Sequence, residues 1–183
     1  EILPPKTSAG SVPVVGAGPA GLEAALAAAQ RGYEVHLAEA SSELGGRVTL
    51  ESRLPGLAEW ARVRDWRVGQ LERMANVSIY RESELEAEHV LEFGARHVAI
   101  ATGSVWRRDG VGRDSGFALP GFDNDLVLTP DDIMAGRDPQ AGPVIIWDDD
   151  HYCMGGNLAE LCRYAGLDVT IVTPAAMVSA WTA

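Results

Sequence analysis

The sequence predicts an α/β fold, a parallel sheet with flanking helices, followed by the start of a second unit of the same kind. Three observations carry that prediction. An apolar run at Val12–Val15 leads through a glycine-rich turn into an Ala/Leu-rich stretch and then a second apolar run, Glu34–Ala38. This strand–helix–strand unit spans about 30 residues, the length of a parallel crossover. The pattern starts again about 130 residues later, which suggests two folds of one kind in series. Finally, 46% of the 183 residues are apolar and 22% are charged, enough to fill a core beneath an ordinary surface.

Residues 1–11 carry two prolines and several small polar residues and read as a leader or linker. Pro13 within the first strand suits a strand start better than its centre. Leu22 to Arg31 consists mostly of strong helix formers, and Gly32 provides a stop. From Gly56 to Met74, Leu57, Trp60, Ala61, Arg64 and Leu71 follow a helical spacing. Val77–Tyr80 reads as a strand, Val90–Gly94 as a short helix with a glycine stop, and Val98–Ala101 as a buried strand. Residues 103–125, rich in Gly, Asp and Arg, read as an irregular excursion. The expected boundary lies at 137–142, between a first domain at 12–138 and a partial second domain at 139–183. In the latter, Val144–Trp147 and Val169–Val172 are strands, and Asn157–Tyr164 is a helix stopped by Gly166. The chain opens on Glu1 and ends at Ala183 on an unfinished pattern, so the expectation is a piece of a longer protein.

Charge excludes some functions. Fifteen Lys and Arg against 26 Asp and Glu give a net charge of −11, which repels nucleic-acid phosphates and anionic membranes. No apolar run approaches the roughly 20 residues of a membrane span, and no basic leader precedes an apolar one. Cys153 and Cys162 form no CxxC pair and have no His or Cys that completes a metal set. Two ordinary reduced cysteines imply a reducing cytoplasm.

The sharpest motif is Val14-Val15-Gly16-Ala17-Gly18-Pro19-Ala20-Gly21. A lone GxGxxG is weak, but this one follows a strand and opens a helix. Gly16 permits the tight turn, Gly18 lets the backbone approach a pyrophosphate, and Gly21 lets the helix pack against the strands. The helix N-terminus supplies free N–H groups and partial positive charge, so an acidic protein needs no basic side chain there. Glu39 ends the second strand, 23 positions after Gly16. Its carboxylate can accept ribose hydroxyls and would repel a 2′-phosphate. After five intervening residues, Gly45-Gly46-Arg47 gives a loop that can fold over the pyrophosphate, with Arg47 adding charge-assisted hydrogen bonds. A third element, Ala101-Thr102-Gly103 at the end of the strand Val98–Ala101, resembles the flavoprotein motif in which a buried strand brings a small turn against the nucleotide. The pattern predicts an adenine-nucleotide site in a Rossmann-like FAD/NAD(P)-binding fold.

The second unit differs. At the tip of its first strand, Asp148-Asp149-Asp150-His151 stands where a glycine loop would hold phosphate. Each carboxylate would oppose a pyrophosphate in a poorly screened cleft, so this unit is expected to keep the fold without binding NAD(P)H. A solvated acidic loop is the expectation; a hard-cation site built from the Asp cluster and His151 is the alternative. His36, His89 and His97 read as structural, and the five tryptophans as core or interface residues. No catalytic residue and no metal ligand is assigned.

The order of these motifs resembles the C-terminal nucleotide-binding region of the iron–sulfur flavoproteins related to trimethylamine, dimethylamine and histamine dehydrogenases and 2,4-dienoyl-CoA reductase. Gly32-Tyr33-Glu34-Val35-His36-Leu37, Leu54-Pro55-Gly56-Leu57-Ala58-Glu59-Trp60 and Ala101-Thr102-Gly103 with Trp106 carry the resemblance, and the degenerate second loop is similar to the amine dehydrogenases. The resemblance implies covalent FMN and a 4Fe–4S cluster in a missing N-terminal part, an electron-transferring flavoprotein as partner, and a homo-oligomeric parent. It also implies an FAD-like site that holds ADP without redox function, lined by Gly16, Gly18, Pro19, Ala20, Gly21, Glu39, Ala40, Gly46, Arg47, Thr102 and Gly103. Two rival readings stand: an FAD domain of an NAD(P)H-dependent reductase, and a non-enzymatic docking domain for an electron-transfer partner.

Overall fold

A computed structural model describes residues 3–140 and 142–182. The first two positions of the expected leader, Ala141 of the expected boundary, and Ala183 lie outside the described residues. The chain forms two compact units, residues 1–52 with 59–104, and residues 53–58 with 105–183.

In the first unit, strands β1 (Ser11–Val15), β2 (Glu34–Ala38), β3 (Val77–Tyr80) and β4 (Ala99–Ile100) form a parallel sheet in the order β3-β2-β1-β4. Parallel neighbours need crossovers, and helix α1 (Pro19–Gln30) provides the one between β1 and β2. Its Leu22, Ala25, Leu26 and Ala29 are all buried and follow the i, i+3, i+4, i+7 spacing of one helix face. They pack with Val14, Val35, Leu37 and Leu71 as one core. Alanine at half of those contacts keeps the helix close to the sheet. The helix ends where Gly32, at φ 92°, donates to Ala29 O at 2.9 Å and Tyr33 donates to Ala28 O at 3.1 Å. That pairing satisfies two of the last free carbonyls. Helices α2 (Arg47–Glu51), α3 (Ala61–Leu71) and α4 (Ala87–Glu92) complete the unit.

Pro13 occupies the third of five positions in β1, not its start. The alternation of β1 explains why this is tolerated. Gly16 N–H donates towards β2, to Ala38 O, and Val15 O accepts from Ala101 on the β4 side. Pro13 nitrogen therefore also faces the β4 side, and β4 pairs only with Val14 and Val15. No ladder bond is lost.

The second unit holds helix α5 (Pro130–Met134), strands β5 (Val144–Trp147) and β6 (Val169–Val172), paired in parallel, and helix α6 (Met154–Tyr164). Its core is Leu54, Met154 and Leu158, with Trp106, Ile133 and Ile146 against them. Helix α5, absent from the sequence expectation, is held by a reciprocal cap: Asp132 N–H donates to Thr129 Oγ1 at 3.3 Å, and Thr129 N–H to Asp132 Oδ2 at 2.6 Å. Helix α6 begins three residues earlier than expected and includes Gly155 and Gly156. His89 lies inside α4 rather than beside it, and its Nδ1 accepts the N–H of Glu86 at 3.1 Å. Trp60, Trp66, Trp147 and Trp181 are exposed in this chain rather than in its core.

Candidate functional site

Each glycine of the first turn has a distinct neighbourhood. Gly16 sits at φ 94°, and a Cβ there would collide with Ala101 O and lie 2.8 Å from Ala101 C. Gly21, in the first turn of α1, faces the Gly16 carbonyl; an added Cβ would strike its oxygen and sit 3.2 Å from Ala101 Cβ. Gly18 differs from both, because nothing lies within 4 Å of where its Cβ would be. Its φ of −69° and ψ of −178° suit any residue. Backbone strain therefore does not explain glycine at this position. An open face at the start of a helix is the property that an approaching ligand needs. Pro19 takes the first helical position, where its missing N–H costs nothing. The first intrahelical bond runs from Leu22 to Gly18 O at 2.9 Å, so the N–H groups of Ala20 and Gly21 precede it.

Glu39 directly follows β2, beside this turn, and is half-buried. Its Oε2 accepts the N–H of Ala17 at 2.8 Å, and its Oε1 accepts the N–H of Ser41 at 2.9 Å with Ser41 Oγ also at 2.9 Å. Ala40, next to it, is exposed. The second loop docks onto the first: Gly45 N–H donates to Ala17 O at 2.8 Å, and a Cβ on Gly46 would come within 3.1 Å of Gly18 Cα. Arg47 donates to Ser104 O at 2.7 Å and lies 3.9 Å from Glu51. It is thus engaged by the protein. Thr102 and Gly103 are exposed immediately after Ala101, whose N–H donates to Val15 O at 2.8 Å. The structure gathers all eleven sequence-derived positions in one unit, around the C-terminal ends of β1, β2 and β4. Ser41 was missed; its signal, a serine two residues after an acid, is common in turns of no special role.

The second unit overturns the expectation of a solvated acidic loop. Asp148, Asp149 and His151 are only 3%, 7% and 4% exposed. Asp149 accepts the N–H of Asp114 at 3.1 Å and of Ser115 at 3.4 Å. Asp148 Oδ1 accepts the N–H groups of Asp150 and His151, each at 3.3 Å. His151, at φ 65°, places Nε2 2.8 Å from Asp114 Oδ2 and 3.6 Å from Asp149 Oδ1. These three side chains bring ligand-type atoms within 4.8 Å of one another, a grouping that their own hydrogen bonds explain. Burial pushes the Asp150 carboxyl above its usual range, with Arg113 opposing that shift. A Cβ on Gly155 would lie 2.8 Å from Asp148 Cγ, so that carboxylate rests against the first turn of α6.

The comparisons with known proteins agree with the fold. The family model described as FAD dependent oxidoreductase matches residues 11–97. Dimethylamine dehydrogenase of Hyphomicrobium sp. (strain x) is 38% identical over 180 residues, 94% of this chain and 24% of that protein. The solved histamine dehydrogenase from Rhizobium sp. 4-9 is 51% identical with a TM-score of 0.94, covering 100% of this chain and 28% of its own. The solved 6-hydroxypseudooxynicotine amine oxidase from Pseudomonas geniculata N1 is 50% identical with a TM-score of 0.95, covering 100% of this chain and 27% of its own. The chain thus spans about a quarter of the length of these relatives. Among the described residues no helix is long and apolar enough to cross a membrane.

Proposed function

Because this chain belongs to the family of flavin oxidoreductases that includes dimethylamine dehydrogenase and histamine dehydrogenase, we propose that its first unit binds an adenine nucleotide within a larger amine-oxidising protein. The observation that carries this reading is the Gly18 face, which is open and unstrained between two glycines closed by backbone. The pyrophosphate of the nucleotide would lie against Gly18, with the N–H groups of Ala20 and Gly21 towards it. Glu39 would accept ribose hydroxyls, with Ala40 beside it. Gly46, Arg47, Thr102 and Gly103 would border the site. We take the occupant to be ADP in a structural role, with FAD as the rival. The Asp-filled loop supports this choice, since a second unit that cannot hold a nicotinamide nucleotide leaves a flavin here without its usual reductant.

The whole protein would supply its redox chemistry elsewhere, from FMN and a 4Fe–4S cluster outside this chain. We propose an electron-transferring flavoprotein as acceptor, a homo-oligomeric assembly, and the cytoplasm as location. Family resemblance supports the first two, and the free thiols of Cys153 and Cys162 support the third. The test is to denature the purified protein and identify the released nucleotide by mass spectrometry. ADP without flavin absorbance is the expected result. Released FAD would make the site part of an electron path and favour the reductase reading, and tight NADPH binding by the whole protein would overturn the structural role.

A further inference from the structure

The Glu39 carboxylate is engaged by the protein itself. Its Oε2 accepts the Ala17 N–H at 2.8 Å, and Ala17 is the residue between the two glycines that shape the phosphate turn. Ala17 is fully buried, so this amide has no access to water as an alternative acceptor. Its carbonyl accepts the Gly45 N–H at 2.8 Å, so both polar groups of Ala17 are fixed by side chain or loop. The carboxylate is itself fixed, because Oε1 takes the Ser41 N–H and contacts Ser41 Oγ. Oε1 has both its lone pairs occupied in this way, and Oε2 has one left for a ribose hydroxyl.

We infer that Glu39, oriented by Ser41, is a positioning residue for the pyrophosphate turn as well as a ribose acceptor, so that one carboxylate couples the two halves of the nucleotide site. Because the Ala17 amide is taken, phosphate recognition falls to the N–H groups of Gly18, Ala20 and Gly21. Their placement depends on the peptide that Glu39 holds. The inference deepens the nucleotide-binding reading and rests on it for its ligand tests.

The two roles separate on a ligand without ribose. A carboxylate that served ribose alone would only repel inorganic pyrophosphate, so Glu39→Gln would leave pyrophosphate affinity unchanged or raise it. A carboxylate that holds the turn has the opposite effect. Gln offers one acceptor oxygen where Glu offers two, and its amide would oppose the N–H of either Ala17 or Ser41. Glu39→Gln is therefore expected to weaken inorganic pyrophosphate and ADP together, by about tenfold or more, consistent with losing a charge-assisted hydrogen bond of about 1.4 kcal/mol or above. Ser41→Ala keeps the charge and should weaken both ligands severalfold. Amide hydrogen exchange on the ligand-free chain is independent of any ligand. Ala17 should exchange at least tenfold faster in Glu39→Gln, while Val35, bonded to Asn76 O in the sheet, should not change. Pyrophosphate affinity that holds or rises as ADP affinity falls, or unchanged Ala17 exchange, overturns the inference. A wild-type chain that binds neither ligand but shows accelerated Ala17 exchange in the variant instead overturns the nucleotide reading and leaves the strut standing.

Discussion

Gly18→Ala and Gly21→Ala, three residues apart in one turn, should fail in opposite ways. At Gly21 the helix gains about 1 kcal/mol of propensity from alanine. The new methyl, however, meets the Gly16 carbonyl oxygen and lies 2.9 Å from its carbon. Neither the turn nor Ala101 behind it can yield without shifting backbone, and overpacking of this kind costs about 1–3 kcal/mol or more. The contact is with backbone, so the upper part of that range applies and the net loss should be about 1–2 kcal/mol. At Gly18 the backbone is already extended and nothing lies within 4 Å. Restricting the unfolded chain stabilises by about 0.4–1 kcal/mol, and the poorer helix cap costs a similar amount. Gly18→Ala should therefore leave folding stability within about 1 kcal/mol of wild type while its methyl would occupy the space proposed for the pyrophosphate. Urea denaturation and ADP titration calorimetry on both variants provide the assay. Gly18→Ala should lose at least tenfold in ADP affinity, and Gly21→Ala should lose stability. A Gly18→Ala protein that binds ADP normally, or a Gly21→Ala protein more stable than wild type, would refute the reasoning.

Four further outcomes follow from the same structure. Asp149→Ala should cost about 2–3 kcal/mol in urea denaturation, because it strips acceptors from the buried N–H groups of Asp114 and Ser115. Asp168→Ala, at an ion pair whose carboxylate is 92% exposed, should change stability by less than about 1 kcal/mol. Asp132 is held down to about 2, first by the Thr129 N–H, then by the Thr129 hydroxyl and Arg108, against its own partial desolvation. Its folded value lies below the unfolded one, so its contribution of about 1–2 kcal/mol is complete above about pH 4 and lost towards pH 2. Asp132→Asn should flatten that part of the stability–pH curve; an unaltered curve would reject the assignment. ADP should bind at least tenfold more tightly than its 2′-phosphorylated analogue because Glu39 repels the added phosphate, and equal affinities in a calorimetric titration would contradict that role.

What the sequence made legible was what the backbone demands. Gly16 is required by its positive φ and Gly21 by the Gly16 carbonyl, both within one turn, and Glu39 follows at a distance set by one helix and one strand, so local spacing encodes the arrangement proposed to hold the nucleotide. The strands Val77–Tyr80, Val144–Trp147 and Val169–Val172 sit where apolar β-branched runs placed them. Helix α5 was legible but unread: Thr129-Pro130-Asp131-Asp132 combines a cap residue, a first-turn proline and an acid at the third position. The acidic loop could not be read locally. The donors that bury Asp149 come from Asp114 and Ser115, 35 and 34 positions away, in a stretch without periodicity. Composition alone therefore made a solvated loop of residues that are in fact enclosed. The exposure of Trp60, at a helical spacing, escaped for a related reason, since such an aromatic marks an apolar face without saying what covers it.

Two strand-to-helix turns, β1 to α1 and β5 to α6, treat the same electrostatic feature in opposite ways. A helix N-terminus presents unpaired N–H groups and partial positive charge and favours an anion nearby. At the start of α1 that field meets open space at Gly18, and the Glu39 carboxylate is drawn aside onto Ala17 and Ser41. At the start of α6 the space is taken. The Asp148 side chain rests against Gly155, and the glycine there accommodates a carboxylate from the chain itself. A glycine at a helix start therefore does not by itself mark a phosphate site; what lies against its missing Cβ decides. Applied to Gly18 and Gly155, that criterion makes the first turn receptive to an external anion and leaves the second filled by its own.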